Sequence, residues 1–244
     1  MTARASGLLQ RATAEGVGTA LLLATVVGSG IMGEELASGS TAMALLANTL
    51  ATGAGLVAFI LTFGPISGAH FNPAVTIADA TMGGLRWRDV PAYVAAQMSG
   101  AFLGVAVAHV MFGKKLFTAS HHVRAGLPQA TSEFVATFGL LCVIWGCSRK
   151  RPTAVPFAVG AYITAAYWFT ASTSFANPAV TLARSATDTF SGIRPTDVPA
   201  FLLAQFAGAA VATLLFRWLI PDLSTMAREV VVPHSRPTSR EEVA

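Results

Sequence analysis

The chain has 244 residues, of which 53% are hydrophobic and only 11% charged, with a formal net charge of +4. Soluble domains carry about 25% charged residues, so this composition excludes an ordinary water-facing domain and leaves room for six apolar spans of ~20 residues with short connectors. The basic residues stand at the ends of apolar runs, which excludes a nucleic-acid face and fits helix ends anchored at a bilayer surface, with membrane lipid and further copies of the chain as expected partners.

The apolar runs predict spans near 14–33, 41–63, 91–112, 132–148, 155–173 and 198–220. The first follows Arg4 and Arg11, as the core of a secretory signal would. No small-residue cleavage site closes it, and Glu15 at its head recurs later, so it reads as a retained span. The third and sixth spans open at Pro91 and Pro199, a residue tolerated in a first helical turn. Segments 72–82 and 177–187 are too short to span, and each begins Asn-Pro-Ala-Val-Thr.

Cys142 and Cys147 share the fourth run. Helical phase turns them about 140° apart, so they cannot pair locally. They read as inert packing, with a soft ligand for a thiol-seeking solute such as trivalent arsenic as the sharper alternative. His121 and His122 lie in a connector and read as solvated surface. From Pro221 to Ala244 apolar periodicity is lost, which predicts one membrane domain over 1–220, with half repeats about 12–112 and 131–220, and a mobile cytoplasmic tail over 221–244.

An internal repeat sets the architecture. Across 89–101 and 197–209, eight of thirteen positions are identical, an offset of 108. The offset is 105 between Asn72 and Asn177, and 118 between Glu15 and Glu133. Each half holds three full spans, so the second half enters the bilayer from the opposite side and the repeat is inverted. The bias of Arg and Lys among the connectors favours both termini in the cytoplasm, at the inner (plasma) membrane of the cell.

The Asn-Pro-Ala segments carry the chemistry. Asn is a strong N-cap and proline at the first helical position sacrifices no bond, so each segment starts a half-helix at its Asn. The inverted repeat brings Asn72 and Asn177 together near the bilayer midplane, each at the positive end of a helix dipole. Irregular backbone at that depth is tolerated only where it lines a cavity. The expected product is a constriction that admits polar neutral molecules and repels cations. It needs no titratable group, metal or cofactor, and no hydrolase, metalloprotease or phosphate-loop motif is present to suggest an enzyme.

Ser67-Gly68-Ala69-His70-Phe71-Asn72-Pro73-Ala74-Val75-Thr76 resembles the first signature loop of the aquaporin and glycerol-facilitator family, and Asn177-Pro178-Ala179 the second. Glu15 and Glu133 resemble the glutamates on that family's first and fourth spans. The resemblance covers roughly residues 12–220. It implies an all-α integral membrane fold, an hourglass of six transmembrane helices and two re-entrant half-helices. It also implies a pore through each subunit of a homotetramer, and Glu15 and Glu133 as structural acids bonding the re-entrant loops. It suggests His70 for the cytoplasmic vestibule, with loop packing as the equal alternative.

This chain departs from the family at the outer ring. Most members place an arginine after the second Asn-Pro-Ala; here Val180 stands there, and the next arginine, Arg184, lies one turn on, where it is not expected to occupy the same place. Counting by resemblance assigns the other ring positions to Thr52, Tyr167 and Ser174. Such a ring is less charged and wider than a water filter, similar to bacterial aquaporin-like channels associated with arsenic resistance. The small neutral solutes implied are arsenite, methylated arsenicals or glycerol, as well as water, with an ordinary water and glycerol facilitator or an ion-coupled transporter as alternatives. Arg184 and its repeat partner Asp79 each follow a motif Asn by seven residues. They are expected either in the outer and inner vestibules or as helix ends paired with loop charges.

Overall fold

The computed structural model describes residues 6–221, apart from the side chains of Arg149 and Lys150. Among the described residues are eight α-helices and no strand: α1 (Leu8–Leu36), α2 (Thr41–Ser67), α3 (Pro73–Met82), α4 (Val90–Met111), α5 (Leu127–Lys150), α6 (Val155–Phe169), α7 (Pro178–Arg184) and α8 (Val198–Leu219). The tail expected over 221–244 lies, Pro221 apart, outside the described residues. Five helices are long and apolar enough to cross a membrane: α1, α2, α5, and α4 and α8 with the 3-10 turns that lead into them. Their outer faces expose Leu50, Leu103, Leu203, Leu214 and Trp218, a surface suited to hydrocarbon rather than water.

The fifth predicted span is the exception. It was expected over 155–173, but α6 stops at Phe169 after 15 residues, about 22 Å at ~1.5 Å per residue and short of a ~30 Å hydrocarbon core. Local chemistry ends it. The Thr170 hydroxyl donates to the Ala166 carbonyl at 2.7 Å, and the backbone at Thr170 turns extended. Ser132 and Gln129 of α5 then hold Ala171 through its N–H and its carbonyl.

The starts of α4, α6 and α8 share one design. A 3-10 turn runs into Val-Pro, at Val90-Pro91, Val155-Pro156 and Val198-Pro199, where proline's missing N–H costs no intrahelical bond. Packing follows the repeat. α1 packs on α2 and α4, α5 packs on α6 and α8 in the same way, and α2 against α6 joins the halves. Small residues set these distances. A Cβ on Gly100 would run into the Gly16 carbonyl of α1, and one on its repeat partner Gly208 into the Phe134 carbonyl of α5. Glycine at both seams lets the paired helices touch backbone to backbone.

Candidate functional site

The two half-helices α3 and α7 begin where the sequence places them. Asn72 Oδ1 accepts the Ala74 N–H at 2.9 Å. Asn177 Oδ1 accepts those of Ala179 and Val180 at 3.0 and 3.3 Å. The amide nitrogens do something the sequence did not suggest. Asn72 Nδ2 donates to the Ala176 carbonyl and Asn177 Nδ2 to the Phe71 carbonyl, each at 2.8 Å. The two helix N-termini are therefore stitched to each other by a reciprocal pair of bonds, and each amide has only one N–H left for anything else.

Behind each loop sits a buried carboxylate. Glu15 accepts from the Ser67 hydroxyl, from the His70 and Phe71 N–H groups and from Gln97 Nε2, at 2.7–2.9 Å. Glu133 accepts from the Phe175 and Ala176 N–H groups and from Gln205 Nε2, at 2.9, 2.8 and 2.6 Å. An unpaired carboxylate at this depth would cost several kcal/mol; charge-assisted bonds offset that cost and fix the loops. Gln97 passes the order on to Thr76, whose hydroxyl donates to the Asn72 carbonyl, and Gln205 does the same through Thr181 to Asn177. Both glutamines and both threonines recur at the repeat offsets, the one sequence signal that points to this role.

With the N–H groups of each loop turned toward its glutamate, the chain twists to follow. Ala69, Phe71, Ser174 and Ala176 all adopt φ between 48° and 50°. Non-glycine residues pay about 1–3 kcal/mol each for such a conformation. The same two positions before each Asn are affected, so the strain belongs to the repeat.

The loops and half-helices enclose a cavity of about 540 Å³. Asn72 and Asn177 line it, as do Thr52, Tyr167, Ser174, Val180, His70 and Arg184. The remaining wall is largely aliphatic, from residues such as Leu22, Leu56, Val75, Leu140 and Ile163. Thr52 and Tyr167 meet through their hydroxyls at 3.3 Å. The Ser174 hydroxyl has no hydrogen-bond partner among the described residues. Cys142 and Cys147 are free thiols away from this wall. His121 and His122 lie on the exposed connector, His121 against Asp188 at 3.1 Å.

Asp79 and Arg184, expected in the vestibules or as helix ends paired with loop charges, have different surroundings. Asp79 is fully buried and is not among the residues that line the cavity, and its carboxylate lies 3.6 Å from His70 Nε2. Arg184, one turn past Val180, lines the same cavity. Helical side chains lean toward the N-terminus of their own helix, which carries its guanidinium back to Phe175. Its guanidinium carbon lies 3.4 Å from the Phe175 ring centroid, and its Nε donates to the Ser191 carbonyl.

A second guanidinium, which no sequence motif marks, stands beside it. Arg124, in the connector between α4 and α5, donates to the Gly192 and Ser172 carbonyls at 2.8 and 3.1 Å and lies 5.1 Å from the same Phe175 ring. Its backbone N–H donates to Asp197 at 2.8 Å. Burial pulls its guanidinium down to about 10. Loop residues that meet only after folding leave no spacing to read.

Comparison with known proteins agrees with this construction. The major intrinsic protein family matches residues 2–174 and 150–243. The chain is 54% identical over 222 residues to aquaglyceroporin AqpS of Rhizobium meliloti (strain 1021), covering 91% of this chain and 95% of that one. It is 41% identical over 120 residues to aquaporin NIP1-1 of Oryza sativa subsp. japonica, 46% of this chain and 41% of that one. The X-ray structure of the aquaglyceroporin from Plasmodium falciparum superposes with a TM-score of 0.70 at 20% identity, over 90% of this chain and all of that one, and shows the shared fold. The chain belongs to the major intrinsic protein family.

Proposed function

We propose that this chain is a passive transmembrane channel for small uncharged solutes, and not an enzyme. The observation that carries the reading is the pair of Asn-capped helix ends, bonded reciprocally at 2.8 Å beside a 540 Å³ cavity. Positive dipole ends and single free amide N–H groups favour a neutral polar molecule passing one hydrogen bond at a time. An ion-coupled transporter would need a free carboxylate at this depth, and Glu15 and Glu133 are both occupied by backbone N–H groups.

The selectivity ring is Thr52, Tyr167, Ser174 and Val180, a mixture of hydroxyls and an apolar wall. It suits glycerol, arsenite or a methylated arsenical as well as water. His70 serves as a vestibule residue, and Glu15 and Glu133 as the structural acids. One membrane domain over 1–220, assembled as a homotetramer in the inner membrane with both termini cytoplasmic, completes the reading. It draws support from the exposed apolar faces and from the basic residues in the connectors.

Liposome swelling with water, glycerol and arsenite tests it. Wild-type vesicles are expected to pass all three faster than protein-free vesicles; all three no faster than through lipid alone would end the channel reading, and arsenite alone no faster would remove the metalloid. Val180→Arg is expected to exclude glycerol and arsenite while water still passes. Unchanged uptake of both would take Val180 out of the ring.

A further inference from the structure

The two loops carry a matched pair of contacts that the scaffold does not require. His70 and Phe175 are repeat partners, each preceding a motif Asn by two residues, and Asp79 and Arg184 are repeat partners seven residues after it. In one half the ring meets a carboxylate, His70 Nε2 to Asp79 at 3.6 Å; in the other it meets a guanidinium, Phe175 to Arg184 at 3.4 Å. The difference lies in what each ring can neutralise. An imidazole can meet a carboxylate directly, and here His70 lines the cavity while Asp79 does not. A phenyl ring holds a cation through its quadrupole and leaves the charge in place.

Arg184 is buried, lines the cavity, and forms no ion pair with any carboxylate among the described residues. Arg124, close to the same ring, likewise has no carboxylate on its guanidinium. Their joint field reaches His122 on the connector, which is held below its usual value by burial and then by Arg124 and Arg184. A buried cation without a counter-ion is costly, and at membrane depth it marks function.

Resting on the channel reading, we propose that Arg184, held against Phe175, is the residue that excludes protons and cations at this mouth of the cavity, in place of the charge that Val180 does not supply. Arg124 is a positioning residue. It ties the connector to Ser172 and Gly192, so that Phe175 keeps its place, and its like charge adds to the barrier.

The test uses the full chain in liposomes, reading proton flux with an entrapped pH-sensitive dye and glycerol flux by light scattering. Wild type is expected to pass glycerol while proton flux stays at the protein-free level. Glycerol flux with a proton leak in wild type overturns the proposal and leaves the channel reading intact; the absence of both glycerol and water flux by light scattering overturns the channel reading itself. Arg184→Gln is expected to raise the ratio of proton to glycerol flux at least about tenfold, because one unscreened charge in a low-dielectric mouth outweighs a decade of flux. Arg184→Met fills the same space without charge and decides the matter should the glutamine variant not assemble. Arg184→Lys, which keeps the charge but loses the planar stack, is expected to stay below both. A neutral variant that passes glycerol and remains proton-tight overturns the proposal.

Discussion

The loop before α3 and the loop before α7 are built on one plan and differ in one respect. Both hang from a buried glutamate, both run through a glutamine and a threonine to the cap Asn, and both place φ near +50° at the same two positions. They diverge at the ring and the charge behind it, His70 with Asp79 against Phe175 with Arg184. Backbone placement is therefore held by what the halves share, and the charge that meets each loop's ring is where they differ. The same separation lets the uncharged side chains of Thr52, Tyr167, Ser174 and Val180 share one cavity wall with the guanidinium of Arg184.

The shared plan breaks most severely at the glutamates. Glu15→Gln and Glu133→Gln each remove charge-assisted bonds worth about 1.5–3 kcal/mol apiece, and turn an NH₂ toward backbone donors. Thermal unfolding in detergent should show a large loss for both. Glu15 should lose more, since it also holds the Ser67 hydroxyl. Equal losses would mean that Ser67 adds nothing. Smaller effects are expected one step along the chain of bonds. Thr76→Val and Thr181→Val each lose one buried hydroxyl, about 1 kcal/mol or a few degrees of Tm. Thr76 should be the costlier, because its hydroxyl also meets His70 Nδ1 at 3.1 Å; a larger loss at Thr181 would reverse that assignment.

The smallest effect concerns pH. Asp188 holds the connector by accepting the His121 N–H at 2.9 Å, and that bond keeps its carboxyl below the usual value of 3.8. A depressed folded pKa contributes stability above the unfolded value, and the contribution fades as pH falls through the folded one. The protection of amides over 113–126, exchange rates corrected for the intrinsic pH dependence, should therefore be full at pH 5 and fall below about pH 4. Protection that stays unchanged through that range would remove Asp188 as the anchor.

Much of this was legible in the chain. Asn-Pro at 72 and 177 is a local signal, since a cap and a first-turn proline act on their own helix, and the repeat offsets then fix the inversion. What escaped was side-chain reach and loop contact. Asp79 and Arg184 have equivalent positions, but a short carboxylate stays where the helix puts it, whereas a long guanidinium leans back a full turn. Arg124 reaches Ser172 across 48 residues of sequence, which no periodicity encodes. The early end of α6 depends on Ser132 and Gln129 from another helix, so an apolar run alone overextended it.

The crossed amides of Asn72 and Asn177 also constrain how the protein comes into being. Each half borrows its last hydrogen-bond acceptor from the other, so an N-terminal half emerging from the ribosome holds Asn72 Nδ2 without a mate until Ala176 has been translated and inserted. Closure of the crossed pair is thus a late event of biogenesis, which waits until both loops are in place.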